Sequence, residues 1–395
     1  MSVSDADADT DTDAETDAEP EAESTGTASA LRPVAAALAA IALVGGVALS
    51  LAHCTRSRPV DGREGDLVAG AQLYRTYCGL CHGDEGEGYA ADNANALANQ
   101  DFLVSVTDEF LTVNIAEGHP GTPMAPYAQR RGGPLSDEQV AQLVVFIRAW
   151  QEEPDAELRP VPEDASADAA REVYAQRCAQ CHGDTGEGVN AVSLNNGQFL
   201  ASASDEQIRY AIAKGRRGTP MPAFEGDLAD ETIDNLTALI RSWQREVAPR
   251  ETEAPIVDEE MPVVVNPDGQ PPQFSPLREG RYVPAAEVER ELRAGRRMVL
   301  LDARAASDYV RYHIPGAIPS PYYGIESVVP RLPTDGTWIL SYCACPHAAS
   351  GRVMDHLREN GFANTAVIDE GVRHWHDEGY PVVEGPNPGT LADAE

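Results

Sequence analysis

Apolar residues between 66 and 246 recur with the three- and four-residue spacing of one helix face. Two sets of four show it: Val140, Leu143, Val144 and Ile147, and then Ile233, Leu236, Leu239 and Ile240. Acidic residues precede each set, where the first turn of a helix favours negative charge, and Ser136 is placed to cap the first helix. Short helices are also predicted around 73–77 and 173–177. The pattern therefore predicts an all-α region.

Beyond residue 282 the pattern changes to short apolar runs that alternate with helical segments. Strands are predicted at 298–301, 338–342 and 365–368, and helices at 285–294 and 350–360. Alternation of this kind is typical of an α/β domain with a parallel sheet.

The N-terminal region has two parts. The first 30 residues are acidic and almost free of large apolar side chains, which predicts a disordered tail. Residues 34–52 carry no charge, and at about 1.5 Å per residue they reach roughly 28 Å, close to the ~30 Å hydrocarbon core. Segment 31–54 is therefore predicted to be a single membrane-anchor helix. A cleaved signal peptide and a lipid anchor on Cys54 are the two alternatives.

The remaining segments complete the predicted organisation. The Pro-rich stretch 247–281 and the shorter stretch 152–165 are predicted linkers, and 386–395 is predicted to be a disordered tail. The predicted domains are 66–151, 166–246 and 282–385.

The net charge of the chain limits the classes of molecule that it can bind. The 395 residues carry a formal net charge of −34. Such a surface repels nucleic acid and anionic lipid headgroups, so nucleic-acid binding is excluded. A protein partner is expected to present a basic docking patch.

The two all-α domains repeat each other. Cys78-Gly-Leu-Cys81-His82 corresponds to Cys178-Ala-Gln-Cys181-His182, and Gly121-Thr-Pro-Met124 corresponds to Gly218-Thr-Pro-Met221. The segments Leu135-Ser-Asp-Glu138 and Leu228-Ala-Asp-Glu231 also match, as do the Trp-Gln pairs that follow them. Landmarks in the same order show that the chain carries an internal duplication.

The repeated Cys-x-x-Cys-His sequence suits covalent attachment of haem. Two thiols can add to the two haem vinyl groups, and the adjacent histidine, His82 or His182, is then held under the iron. The second axial ligand is predicted to be Met124 in the first copy and Met221 in the second, with His119 as a rival ligand in the first. A redox-active or zinc-binding Cys-x-x-Cys turn is the alternative, although each copy clusters only three of the four ligands that zinc requires.

Residues 66–246 resemble tandem class I cytochrome c domains on these motifs. The resemblance implies two covalently attached haem c groups and assembly outside the cytoplasm, in the periplasm or its equivalent. One departure concerns the proline whose carbonyl commonly orients the proximal histidine. Here the positions hold Asn95-Ala96 and Val192-Ser193, so the sequence assigns no acceptor to either histidine.

Residues 282–384 resemble a rhodanese domain. The matching segments are Leu301-Asp-Ala-Arg304, Asp308-Tyr309, His313-Ile-Pro-Gly-Ala317 and Asp369-Glu-Gly371 with Trp375. The resemblance implies that Cys343, which follows the central strand, forms a persulfide at a helix start.

The loop after Cys343 departs from the family pattern. The arginine expected in it falls on Ala349, and His347 or Arg352 is a possible replacement. Cys345 could resolve an oxidised Cys343. Whether the domain is an active sulfurtransferase is therefore left open.

These observations lead to three hypotheses. The first is a membrane-attached dihaem electron carrier outside the cytoplasm that handles sulfur through Cys343 and a sulfane-sulfur donor. The second is a pure electron carrier whose rhodanese-like domain serves only for docking. The third is a redox sensor that uses Cys343 and Cys345.

Overall fold

The computed structural model describes residues 62–247, 261–344 and 347–394, which lie in one compact unit spanning 57–395. The predicted tail at 1–30, the predicted anchor at 31–54 with Cys54, and Cys345 lie outside the described residues. Of the helices in the described ranges, none is long and apolar enough to cross a membrane.

The first repeat contains five helices. They are α1 (Gly62–Tyr77), α2 (Gly79–His82), α3 (Gln100–Leu103), α4 (Asp108–Glu117) and α5 (Asp137–Arg148), with a 3₁₀ turn at Gln129–Arg131. The predicted cap is confirmed, because the Ser136 side chain accepts from the Gln139 amide while the Gln139 side chain accepts from the Ser136 amide. The four apolar residues predicted to share one face of α5 are all buried.

The second repeat follows the same order. Its helices are α6 (Ala167–Arg177), α7 (Ala179–His182), α8 (Gly197–Ser202), α9 (Asp205–Lys214) and α10 (Asp230–Arg241). Two differences from the sequence prediction appear. The helices before the Cys-x-x-Cys-His turns are longer than expected, and α10 has no side-chain cap because Ala229 occupies the cap position.

Packing within each repeat joins the first helix to the last. Trp150, just after α5, packs edge-on against Tyr74 of α1 with ring centroids 5.0 Å apart, and Trp243 packs against Tyr174 at 5.1 Å in the second repeat. The apolar residues of both repeats form one continuous core, in which Phe110 and Phe199 meet across the boundary at 6.4 Å.

The contact between the repeats is reciprocal. Asn99 caps α3 and its Nδ2 donates to the carbonyl of Arg217 at 2.8 Å. Its counterpart Asn196 caps α8 and donates to the carbonyl of Pro120 at 3.0 Å. Asn196 lies 97 positions after Asn99, and Arg217 lies 97 positions after Pro120. Equivalent residues therefore make the same contact in both directions, which relates the two repeats by a pseudo-two-fold arrangement here.

The predicted linker 152–165 packs against both repeats. The amide of Ala156 donates to the carbonyl of Val104 at 2.8 Å in the first repeat. Arg159 pairs with Asp230 and Asp234 of the second, at 2.7 Å each. The linker therefore helps to fix the two repeats relative to each other.

The C-terminal domain is built on a five-stranded parallel sheet in the order β1-β5-β4-β2-β3. Its elements are β1 (Tyr282–Val283), α11 (Ala285–Arg293), β2 (Met298–Asp302), α12 (Ala306–Tyr309), β3 (Ile318–Pro319), β4 (Trp338–Tyr342), α13 (Ala348–Glu359), β5 (Thr365–Ile368) and α14 (Gly371–Asp377), with 3₁₀ turns at Ile325–Ser327 and Val329–Arg331. The three predicted strands are confirmed, and β1 and β3 are additional two-residue edge strands.

Both faces of this sheet are covered by apolar packing. Met298 and Leu300 of β2 point into one cluster, whereas Val299 and Leu301 point into the other. This alternation follows from the two-residue period of a strand, and the continuous apolar run is typical of a strand buried on both faces. The described part of the segment predicted as linker, 261–281, lies on the domain, since Val265 exchanges backbone hydrogen bonds with Met298.

Candidate functional site

Each Cys-x-x-Cys-His segment forms a tight turn at the end of a long helix. In the first repeat, α1 ends at Tyr77, Cys78 follows, and Cys81 and His82 lie in the single-turn helix α2. The hydroxyl of Tyr74 donates to the carbonyl of Gly83 at 2.8 Å. The second repeat has the same bond between Tyr174 and Gly183, also at 2.8 Å, so both attachment turns are held in the same way.

The structure supplies the acceptors that the sequence left unassigned. His82 Nδ1 lies 2.8 Å from the carbonyl oxygen of Asn95, and His182 Nδ1 lies 2.9 Å from that of Val192. Both acceptors are backbone atoms, so a proline is not needed to provide them. This contact places the proton on Nδ1 and leaves Nε2 of each ring as the metal-binding nitrogen. Burial lowers the pKa of both histidines, which keeps the rings neutral.

Cys78, Cys81, Cys178 and Cys181 form no disulfide. Burial raises the pKa of Cys78 to about 12 and that of Cys178 to about 11. Burial, followed by the nearby Asp92 and Cys343, raises the pKa of Cys81 to about 12. Within the described ranges, no group of three or more His, Cys, Asp or Glu side chains is arranged to hold a metal ion.

The two methionine loops have the same geometry. The Thr122 hydroxyl donates to the carbonyl of His119 and accepts from the amide of Met124 at 3.2 Å. Thr219 makes the corresponding bonds to Arg216 and Met221. Both methionines are half-buried against the core that Cys78 and Cys178 also contact.

The side chain of His119, the alternative axial ligand in the first repeat, is already hydrogen-bonded. Its Nε2 lies 2.6 Å from Oδ1 of Asn114, whose amide nitrogen donates to Ser202 of the second repeat at 2.9 Å. Burial, followed by the charge of His82, lowers the pKa of His119 to about 4. This side chain is therefore a neutral part of the contact between the repeats.

Cys343 lies directly after β4 and is 2% exposed. Its Sγ is 3.3 Å from the hydroxyl of Ser350, which lies in the first turn of α13. The amide of Val372 donates to the carbonyl of Cys343 at 2.9 Å, so the segment after Asp369-Glu-Gly371 also positions this residue. The sequence did not identify Ser350, because a lone serine in a helix carries no pattern.

His347 and Arg352, the two candidate replacements for the arginine expected at Ala349, differ in whether they are already paired with a carboxylate. His347 is bound, since its Nε2 lies 2.8 Å from Asp369 and its ring stacks on Tyr282 at 4.0 Å. Arg352 lies one helical turn after Ala349, with its guanidinium 5.8 Å from the ring of Tyr322. Among the described residues, Arg352 has no carboxylate partner. A cavity of about 450 Å³ is lined by both residues and by Leu80 of the first repeat.

Comparison with known proteins separates the chain into the same parts. The family described as "Cytochrome C oxidase, cbb3-type, subunit III" matches residues 65–147 and 165–240, and the family described as "Rhodanese-like domain" matches residues 284–378. The chain is a pair of tandem cytochrome c domains followed by a rhodanese-like domain. The first repeat is called cytochrome domain 1 below, and the second cytochrome domain 2.

The curated relatives are subunits of cbb3-type cytochrome c oxidases and match less than half of this chain. The cbb3-type cytochrome c oxidase subunit FixPc of Rhizobium leguminosarum bv. viciae is 28% identical over 192 residues, covering 46% of this chain and 62% of the relative. The subunit CcoP of Azospirillum brasilense is 26% identical over 193 residues, covering 45% of this chain and 61% of its own. The chain thus spans less than two thirds of the length of either relative. A solved thiosulfate sulfurtransferase of Pseudomonas aeruginosa is 27% identical over 28% of this chain and 21% of its own, with a TM-score of 0.26.

Cytochrome c domains carry covalent haem c, and the residues present fit that group. Each domain combines two free thiols, a histidine whose Nδ1 is fixed on a carbonyl, and a methionine in a stiff loop. Haem would be held by Cys78, Cys81, His82 and Met124 in domain 1, and by Cys178, Cys181, His182 and Met221 in domain 2. Bound in this way, it supplies a centre that gains and loses one electron.

The rhodanese-like domain packs on the attachment turn of cytochrome domain 1. The carbonyl of Tyr77 accepts from the hydroxyl of Tyr322 at 2.7 Å and from that of Tyr127 at 3.1 Å. Leu80, between the two attachment cysteines, packs into the apolar cluster on one face of the parallel sheet. The hydroxyl of Ser307 donates to the carbonyl of Pro126 at 2.8 Å.

Sequence reasoning missed this contact. A signal exists in the duplication, because the residues that make the contact in domain 1 differ in type from their counterparts in domain 2. Tyr77, Leu80 and Tyr127 correspond to Arg177, Gln180 and Phe224. These three differences between the repeats lie at the surface of domain 1 that the rhodanese-like domain contacts.

Proposed function

We propose that this protein is a membrane-attached dihaem c-type cytochrome that transfers electrons outside the cytoplasm, and that its rhodanese-like domain links this transfer to sulfur compounds. The observation that carries the electron-transfer part is the duplicated arrangement of His82 and His182, each with Nδ1 bound to a backbone carbonyl, which leaves Nε2 as the nitrogen that would bind iron. The membrane attachment is proposed for the segment 31–54.

The curated relatives support the direction of transfer. They are subunits of cbb3-type cytochrome c oxidases, and their similarity covers less than half of this chain. We propose the same kind of role here, with electrons passed toward a respiratory acceptor by a redox partner that carries a basic patch. The net charge of −34 favours such a partner.

Cys343 is the proposed nucleophile of the rhodanese-like domain. Its thiolate attacks the sulfane sulfur of a donor such as thiosulfate, the sulfur–sulfur bond of the donor breaks, and sulfite leaves. The product is a Cys343 persulfide. An acceptor thiolate then attacks the outer sulfur, the sulfur–sulfur bond of the persulfide breaks, and the Cys343 thiolate is released. Ser350, whose hydroxyl is 3.3 Å from Sγ, is positioned to hydrogen-bond the sulfur anion in the first turn of α13.

We propose that the guanidinium of Arg352 binds the anionic sulfur donor. His347 is committed to Asp369, whereas the guanidinium of Arg352 has no carboxylate partner in the described part of the chain and faces the cavity shared with Leu80. Arg352→Gln is expected to raise the KM for thiosulfate several-fold and to leave kcat nearly unchanged. Arg373→Gln, the same loss of charge at an exposed position of α14, is the matched control.

Sulfurtransfer from thiosulfate to cyanide by the full-length protein tests the sulfur part. Wild-type protein is expected to form thiocyanate and Cys343→Ser is expected to form none, with an unchanged visible spectrum. Absence of sulfurtransfer in the wild type would favour the second hypothesis, a docking module. A pair of thiols at Cys343 and Cys345 that disappears on mild oxidation would favour the third, a redox sensor.

A further inference from the structure

The Cys343 site lies against the haem-attachment turn of cytochrome domain 1. Helix α13, which begins shortly after Cys343, packs against α2, which carries Cys81. Leu80 of α2 packs on the same apolar cluster as Ala349 of α13. Ser350, the next residue of α13, lies 3.3 Å from Sγ of Cys343. The first turn of one helix therefore adjoins both the proposed sulfur nucleophile and the attachment turn.

Hydrogen bonds provide a second connection between the two sites. The carbonyl of Tyr342, the residue directly before Cys343, accepts from the amide of Ala303 at 2.9 Å. The carbonyl of Ala303 accepts from the amide of Tyr322 at 3.1 Å. The hydroxyl of Tyr322 then donates to the carbonyl of Tyr77 at 2.7 Å, where the attachment turn begins. These bonds hold Cys343 and the turn at a fixed separation.

Buried residues separate the two sites. Cys343 is 2% exposed and Tyr322 is 7% exposed. Charges in such surroundings interact more strongly than charges in water, and salt screens them less. The effect is present at Cys81, whose pKa is raised by burial and then by the charges of Asp92 and Cys343. A haem attached through Cys81 would be subject to the charge on Cys343 as well.

The haem and the cysteine each change charge when they react. Oxidation of haem iron adds one positive charge, and the reactive form of a cysteine is its thiolate. A positive charge nearby stabilises an anionic sulfur, so the oxidised haem favours the thiolate of Cys343. Coupling between two sites is reciprocal, so an anionic sulfur at Cys343 favours the oxidised haem by the same factor.

We propose that the oxidation state of the haem in cytochrome domain 1 controls the reactivity of Cys343. The ferric state increases the fraction of Cys343 that is thiolate, and the ferrous state decreases it. An anionic sulfur at Cys343 in turn lowers the reduction potential of this haem. The contacts described above all run to domain 1, so the haem of domain 2 has little effect. This inference rests on the proposed function and adds a regulation that joins its two halves.

Alkylation of Cys343 by iodoacetamide measures this coupling directly, because the thiolate is the form that reacts. Full-length, haem-loaded protein is treated at neutral pH and low ionic strength, once in the ferric state and once after reduction with ascorbate. Peptide mass spectrometry separates Cys343 from Cys54 and Cys345. The rate at Cys343 is expected to be about threefold higher in the ferric protein. Equal rates would overturn the inference.

Two double variants assign the effect to one haem. Cys81→Ala/His82→Ala removes the haem of domain 1, and Cys181→Ala/His182→Ala removes that of domain 2. The difference between ferric and ferrous protein should disappear in the first variant and persist in the second. The reverse pattern would contradict the assignment to domain 1.

Reduction potentials give a second measurement that does not depend on the folding of the double variants. In a spectroelectrochemical titration, persulfide-loaded wild type should show one haem at a lower potential than Cys343→Ser, and the other haem unchanged. Identical titration curves would overturn the inference. Wild-type protein without covalent haem or without sulfurtransfer contradicts the proposed function, whereas haem-loaded, active protein with equal alkylation rates contradicts only this coupling.

Discussion

The hydroxyl of Tyr322 in the rhodanese-like domain donates a 2.7 Å hydrogen bond to the carbonyl oxygen of Tyr77, the residue directly before Cys78. This carbonyl ends α1, and the amide of Cys81, four residues later, bonds to Cys78 instead. Helix-terminal carbonyls need partners from outside the helix, and Tyr127 and Tyr322 supply them here. A residue of the rhodanese-like domain thus completes the attachment turn of a cytochrome domain.

Removal of that hydroxyl should loosen the turn. Tyr322→Phe keeps the ring but loses a buried hydrogen bond worth about 1 kcal/mol, which corresponds to roughly fivefold faster opening of the contact. Hydrogen exchange of the amides at 78–82 should accelerate by that factor, while those at 178–182 stay unchanged. Tyr312→Phe, at a half-buried tyrosine of the same domain, is the control and should change neither. Equal exchange in all three proteins would contradict the role of this bond.

The contact between the cytochrome domains can be separated from helix capping at Asn196. Asn196→Asp keeps the Oδ1 that accepts from the Phe199 amide but loses the Nδ2 that donates to Pro120. It should cost about 1 kcal/mol of unfolding free energy, and Asn196→Ala about 2 kcal/mol, because alanine also removes the cap. Denaturant unfolding measures both values. An aspartate variant as stable as the wild type would show that the interdomain bond contributes nothing.

Met124 and Met221 should each be the second axial ligand of the haem in their own domain. Met124→Ala and Met221→Ala are each expected to remove about half of the weak far-red absorption that the family resemblance implies for methionine ligation. His119→Ala should leave that absorption intact, because Asn114 already holds the His119 side chain. Optical spectra of the oxidised variants decide this. Loss of the band in His119→Ala, with retention in Met124→Ala, would identify histidine as the ligand in domain 1.

Stability of the rhodanese-like domain should depend on the ionisation of Asp369. The hydrogen bond from Arg278, followed by that from His347, holds the pKa of Asp369 below its usual value of about 3.9. A lowered pKa in the folded state stabilises the protein above the unfolded value, and this contribution is lost as the pH falls through the folded pKa.

Thermal unfolding between pH 7 and pH 3 tests this prediction. At pH 7, wild type should have a higher Tm than Asp369→Asn, and the difference should shrink once the pH falls below about 4. A difference that stays constant down to pH 3 would show that the ionised carboxylate is not what stabilises the fold.

Much of the fold follows from local patterns in the sequence. The face of α5 and the strands β2, β4 and β5 were predicted because burial imposes helical or continuous apolar patterns on them. α10 lacks the side-chain cap that α5 has, since Ala229 cannot accept a hydrogen bond through its side chain. The family resemblance was confirmed for both parts of the chain by the family comparisons.

The parts that sequence could not supply depend on backbone atoms or on long-range packing. The acceptors for His82 and His182 are carbonyls, which every residue carries and no motif distinguishes. The contact between Tyr322 and Tyr77 joins residues 245 positions apart and leaves no periodic signal. Only the differences between the two repeats, such as Leu80 against Gln180, indicate that one copy is covered.

The most direct test of the account is a pyridine haemochrome count on the purified full-length protein, together with the same count on Cys81→Ala/His82→Ala and on Cys181→Ala/His182→Ala double variants. We expect two covalent c-type haems per chain in the wild type and one in each variant. Wild-type protein without covalent haem would contradict the central claim. The duplicated Cys-x-x-Cys-His turns would then have a function other than haem attachment.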